Sequence, residues 1–215
     1  MDQDLTPHLA PSLAPEHDWA AASSLIHPTL KPVGTSGVDG RALHSNFGTG
    51  SWAPLVRPGP AGLSIVYVIP GVGFDVLVGA DHLLSWGVGP DQVHDAAMAN
   101  LAAWSAKASW AEEVDGGRRI LWSDWGDGMD AARILLDEVR ARLTEDLGPR
   151  GRILVGLPER DLLIATGISD GDSEFPEMFA DYVTDRAQAA DEPIDQRLFE
   201  LVKGELVEAR VLSPA

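Results

Sequence analysis

Residues 152–168 read RILVGLPERDLLIATGI. Two apolar, β-branched runs, RILVGL and DLLIATG, flank Pro158-Glu159-Arg160-Asp161, a connection long enough for a tight turn and too short for a crossover helix. The runs must therefore pair antiparallel. The same grammar recurs outward in both directions. LSIVYVI and FDVLVG flank PGVG in residues 63–79, and SWAEEV and RILW flank Asp115-Gly116-Gly117. RLFELV and ELVEARV flank Lys203-Gly204 near the C-terminus. Each turn carries the glycine or proline chemistry that a hairpin requires.

Helical spacing fills the intervals between these hairpins. DHLLSW is one short signal, and Gly89-Pro90-Asp91 opens a longer one, with proline at the first helical position and an acid in the first turn. Val93, Ala97, Leu101 and Trp104 then recur on one face. Ala131, Leu135, Val139, Leu143 and Leu147, four apart, predict a helix from about Asp130 to the Gly148-Pro149 stop. Phe175, Met178, Phe179, Tyr182 and Val183 alternate with acids as an amphipathic helix does. The order ββ-αα-ββ-α-ββ-α-ββ predicts an α+β fold, a mainly antiparallel sheet built from hairpins with helices packed on one face.

The 215 residues suffice for one domain with its own core. Residues 1–24 are expected to form a mobile N-terminal tail and 25–215 a single α+β domain. Within it, Pro- and Gly-rich residues 25–60 are expected to lie as an irregular arm anchored by Leu25, Ile26, Trp52, Leu55 and Val56. The chain has no cysteine, which excludes disulfides, thiolate nucleophiles and cysteine-ligated metal centres. A net charge of −17 repels phosphate backbones and anionic lipid, so neither nucleic acid nor membrane is an expected partner. The opening MDQDLTPHLAPSL has neither the positive region nor the apolar run of an export signal, so a cytoplasmic location is expected.

The stretch richest in chemistry is WSDWGDGMD, residues 122–130. Its acids fall every third residue, whereas a calcium loop of the EF-hand type needs oxygens at alternate positions and a closing glutamate. A structural reading is simpler: Asp127 caps the following helix, Asp130 sits at its third position, and the glycines permit the turn. Asp124 is left without a capping role, and Trp125, in the loosened turn, is the tryptophan expected to be exposed. Asp124, Trp125, Asp127, Asp130 and Arg133 are thus the candidate binding residues.

No His-Glu-x-x-His helix, Gly-x-Ser-x-Gly elbow, dinucleotide fingerprint or phosphate-binding loop occurs. No catalytic residue, metal or cofactor is assigned. His94 beside Asp95 reads as a solvated helix pair, and Glu159 and Arg160 read as the exposed tip of a hairpin.

Asp127, Gly128, Asp130, Ala131, Ala132, Arg133, Ile134 and Leu135, followed by GRILVGLPERDLLIATG, resemble the bacterial YtpQ-like family, a domain of unknown function. LIHPTLKPVG and APLVRPGPAGLSIVYVIPG resemble that family's lead-in and first strand, and VHDAAMANLAAW, with Asn100-Leu101, its first long helix. The resemblance covers about residues 25 to 205. It implies a cytosolic α+β protein that does not depend on cysteine, and it implies no known reaction. Together with the missing catalytic motifs, it leads to an expected role as a non-enzymatic protein-binding or regulatory module, with a protein partner or a homodimer. The alternative is a divalent-cation-dependent hydrolase or ion-binding protein using Asp124, Asp127 and Asp130.

Overall fold

The computed structural model describes residues 17–39, 53–71, 74–115, 117–169 and 171–209. The opening hairpin forms as β8 (Arg152–Glu159) and β9 (Leu162–Ile168), paired from Arg152 opposite Ile168 to Gly156 opposite Ile164, with a bulge before the turn. β6 (Ala111–Asp115) and β7 (Arg118–Ser123) form a second hairpin, and β10 (Leu198–Val202) and β11 (Glu205–Glu208) a third. They assemble as a six-stranded antiparallel sheet in the order β11-β10-β8-β9-β7-β6.

A second sheet has five strands. β4 (Ser64–Pro70) lies at its centre, with β1 (His27–Lys31) on one side, β3 (Leu55–Pro58) on the other, and β5 (Asp75–Leu77) also paired to it. β2 (Val38–Asp39) joins β3 in parallel. The expected α+β class and hairpin pairing are present, with the strands divided between two sheets. Within the segment 25–60, expected to be an irregular arm, the described residues supply β1, β2 and β3. Its prolines masked these strands, yet Pro28 sits in β1, an edge strand, where a missing N–H costs no ladder bond. Ile26 and Leu55 are buried as anchors, while Trp52 lies outside the described residues. Residues 1–16 of the expected tail also lie outside them. A short helix, α1 (Trp19–Ala22), capped by the Asp18 side chain, precedes residue 24 and buries Ala22.

Helices α2 (Ala80–Trp86) and α3 (Pro90–Ser105) follow β5, and α3 turns Val93, Ala97 and Leu101 inward. α4 (Asp137–Leu147) buries Val139, Leu143 and Leu147, and α5 (Glu174–Ala189) buries Phe175, Phe179, Val183 and Ala187. Helices cover both faces of the large sheet, because β8 and β9 are apolar on both sides. Ile153, Val155, Leu157, Leu163 and Ala165 join α3, α4 and the small sheet in the main core. Leu154, Leu162, Ile164 and Ile168 join α5 in a second cluster on the opposite face. Each large apolar side chain so buried contributes about 1.5–3 kcal/mol.

The helix expected from Asp130 begins seven residues later. Residues Ala131–Leu135 form a 3-10 turn, and Leu136 is extended at φ −82°, ψ 131°. Ala131, Ala132, Arg133 and Ile134 are buried in succession, and a run buried on every side cannot be one face of a surface helix. The Ala131 N–H donates to Arg160 O at 3.1 Å, which ties this turn to the β8–β9 hairpin instead.

Candidate functional site

β7 ends at Ser123, and the chain then folds around one carboxylate. Asp130 is fully buried. Its Oδ1 accepts from Ser123 Oγ at 2.5 Å, the Trp125 N–H at 3.0 Å and Arg133 Nη1 at 2.5 Å, and its Oδ2 accepts from the Gly126 N–H at 2.9 Å. Arg133, also fully buried, donates through Nη2 to Asp127 Oδ2 at 2.5 Å, while Asp127 Oδ1 accepts from the Met129 N–H. The capping assignment is therefore corrected. Asp130 gathers its own loop instead of occupying a third helical position, and Asp127 holds Arg133 and a two-residue turn. A buried carboxylate needs such a full set of donors to offset its lost hydration.

The hairpin tip closes the turn from the other side. The Gly128 N–H donates to Asp161 Oδ1 at 2.7 Å, and Arg160 Nε donates to Gly128 O at 3.1 Å. Gly128 has φ 78°, a left-handed conformation that favours glycine, and a Cβ there would lie 2.1 Å from Arg160 Nη2 and push the guanidinium off its partners. Arg160 also pairs with Asp75 at 2.5 Å, and Glu159 pairs with Arg186. These two residues are structural links rather than an exposed tip. His94 likewise differs from the solvated pair expected: its Nδ1 lies 2.9 Å from the hydroxyl of fully buried Tyr67.

The five sequence candidates thus separate by role. Asp127, Asp130 and Arg133 converge on one another and are occupied. Trp125 is 55% exposed, unlike the other described tryptophans. Asp124 is exposed, has no hydrogen bond or ion pair among the described residues, and lines a groove of about 490 Å³.

That groove follows from strand register and helix width. On the outer face of the large sheet, Gly156, Ile164, Trp122 and Ala111 form one cross-strand row, and Leu154, Thr166, Ile120 and Glu113 form the next. α5 sits over β8, where Gly156 admits it closely: a Cβ there would lie 2.4 Å from Val183 Cγ2. A helix about 10 Å wide covers roughly two strands spaced about 4.8 Å apart. β7 and β6 are consequently only partly covered, with Ile120 and Trp122 packed against the α5 cluster yet half-buried. Ile120, Trp122 and Ile164 form the floor, and α5 forms a wall. Beside its buried stripe, α5 carries a second one, Met178, Tyr182 and Arg186, again four apart, with Met178 54% and Tyr182 44% exposed. Sequence reasoning placed Met178 and Tyr182 on the core face. Their position one residue before Phe179 and Val183 was the signal that a second stripe runs alongside.

A second cleft of about 630 Å³, between β1 and β5, contains Lys31, Asp75, Arg160 and Glu192. Its charges cancel internally, with Lys31 3.3 Å and Arg160 3.7 Å from Glu192 in addition to the Arg160–Asp75 pair. Burial lowers the pKa of His27, whose Nε2 has no partner and whose ring meets Trp104 edge-on at 5.7 Å. Burial lowers that of His94 too, helped by the Arg57 charge. Burial thereby favours the neutral form of both imidazoles, and among the described residues no side-chain carboxylate hydrogen-bonds to either ring. What the groove offers is an apolar slot with carboxylates on its rim, suited to binding by shape and charge. Among the described residues, no helix is long and apolar enough to cross a membrane. No family profile, curated protein or solved structure matches the chain.

Proposed function

We propose that this chain is a non-enzymatic, cytoplasmic protein-binding or regulatory module of the YtpQ-like type, and that it takes a peptide segment of its partner in the groove beside α5. The observation that carries this reading is the partly covered outer face of β7. There the half-buried Ile120 and Trp122, continued by buried Ile164 of β9, form an apolar floor next to Asp124, the one aspartate of the turn that the fold does not employ. Open apolar slots with a few polar groups are where proteins take up ligands, and tryptophan is enriched at such contacts. The buried Asp130–Arg133 unit supports the reading from below, because it fixes the loop that presents Asp124 and Trp125.

The divalent-cation alternative fares less well. Arg133 occupies the carboxylates of both Asp127 and Asp130, and the described residues include no group of three or more His, Asp or Glu side chains that could hold an ion.

Selection of random peptides displayed on phage tests the proposal. Peptides enriched on the wild-type chain are expected to lose binding to Met178→Glu, which places a charge on the exposed wall of the groove without touching the core. Failure to enrich any sequence, or enrichment that Met178→Glu leaves intact, would remove the groove from consideration.

A further inference from the structure

The rim of the groove is electrostatically one-sided. Among the described residues, Arg186, the cation that lines it, is committed to Glu159, and Arg118, on the same strand face, to Asp172 at 3.1 Å. Glu113 and Asp124 are exposed and have neither an ion pair nor a hydrogen bond among the described residues. They flank an apolar floor, and a carboxylate beside apolar surface attracts a cation more strongly than one surrounded by water. The groove is also bounded by a strand edge. β6 ends the sheet, and no strand pairs with its outer side among the described residues. An open edge offers main-chain donors and acceptors to an incoming strand.

The sequence of that edge, AEEVD, decides what kind of strand can come. A second copy aligned antiparallel to itself on this edge would set acid against acid, which is destabilising for directly opposed like charges. A strand carrying lysine or arginine meets the opposite situation. Glu113 shares the groove face with Ile120 and Trp122 through the register Glu113 opposite Ile120 and Ala111 opposite Trp122. A strand added to β6 would place alternate side chains on that same face, so its basic residues would reach Glu113 and Asp124 while an apolar one entered between Trp122 and Tyr182.

Resting on the peptide-binding reading above, we propose that the occupant is a basic, extended segment of a partner protein that joins β6 as an additional strand and lays its apolar side chains into the groove. The probes are short fluorescent peptides whose same-face positions i, i+2 and i+4 read Lys-Leu-Lys, Ser-Leu-Ser or Glu-Leu-Glu with Thr between them, and the Lys peptide N-methylated at alternate residues. Fluorescence anisotropy is expected to show the Lys peptide binding at least about tenfold more tightly than the Glu peptide, with affinity falling as salt rises. The double variant Glu113→Gln/Asp124→Asn, folded by its unchanged melting temperature, is expected to lose about tenfold for the Lys peptide. The control Glu138→Gln/Glu145→Gln, on exposed positions of α4 across the sheet, should lose little.

An equal loss in the control would reduce the effect to general attraction by an acidic protein and overturn the proposal. Retained affinity of the N-methylated peptide would overturn strand addition. If the Ser or Glu peptide binds as tightly as the Lys peptide and Met178→Glu abolishes that binding, the groove remains a peptide site and the basic partner is refuted. If the display selection yields nothing, the broader reading falls first.

Discussion

Arg133 and Asp130 are the pair on which the candidate loop depends. Both are fully buried, and a buried ion pair adds little net stability over apolar neighbours while the loss of one member strands the other. Arg133→Met is therefore expected to cost about 3–5 kcal/mol in urea unfolding, most of it from the orphaned Asp130. His27 supplies the pH dependence. Its folded pKa lies below its ordinary value of 6.5, chiefly through burial, with Arg160 lowering it further and Leu25 O, Asp75 and Asp127 raising it. The unfolded chain accordingly takes up a proton near pH 6.5 that the folded chain refuses, so stability declines as pH falls below that value. His27→Leu should flatten this decline by up to ~1.4 kcal/mol per pH unit, read from urea unfolding at a series of pH values. His94 acts in the same direction and is untouched by that substitution. Asp172 does not enter this window. Its pKa is lowered by hydrogen bonds from the Phe175 N–H and Arg118, and its contribution is lost only in stronger acid.

Among the elements, α5 defines the groove, and its height is set by a single glycine. Gly156→Ala would press a methyl group onto Val183 and Ile164, and overpacking of this kind costs about 1–3 kcal/mol. The expected outcome is a lower melting temperature together with weakened binding of any groove peptide, as α5 rides away from the sheet. The hairpins were legible in the sequence because turn chemistry and strand alternation are local: DGG, PERD and KG each reveal a pairing within a few residues. The Asp-rich turn was legible only as a turn. Its spacing suits a helix cap equally well, and the partners that decide otherwise, Arg160 and Asp161, come from a hairpin more than thirty residues away. The groove was less legible still. It depends on β7 lying beside β9 rather than beside β10, and sheet order is a long-range outcome that no local pattern encodes.

For the molecule as a whole, charge and sheet edges govern association. The described edge β6 bears Glu112, Glu113 and Asp115, and the 3-10 turn Pro60–Gly62 packs against β11 at the opposite end. With a net charge of −17, copies of this chain repel one another at low ionic strength. Light scattering is expected to return the mass of a single chain, and a dimer at low salt would contradict the role assigned to β6. The division into two sheets, unforeseen from composition, arises because β1 to β3 pair around β4 rather than extending the larger sheet.

Arg160 fastens three parts of the chain at once: it stands at the tip of one hairpin, grips Asp75 on the other sheet, and donates to the carbonyl of Gly128. Loosening any of these attachments frees the other two. The amides of Trp125, Gly126, Gly128 and Ala131 should accordingly trade hydrogen for deuterium at one shared rate, as a latch that opens whole or stays shut.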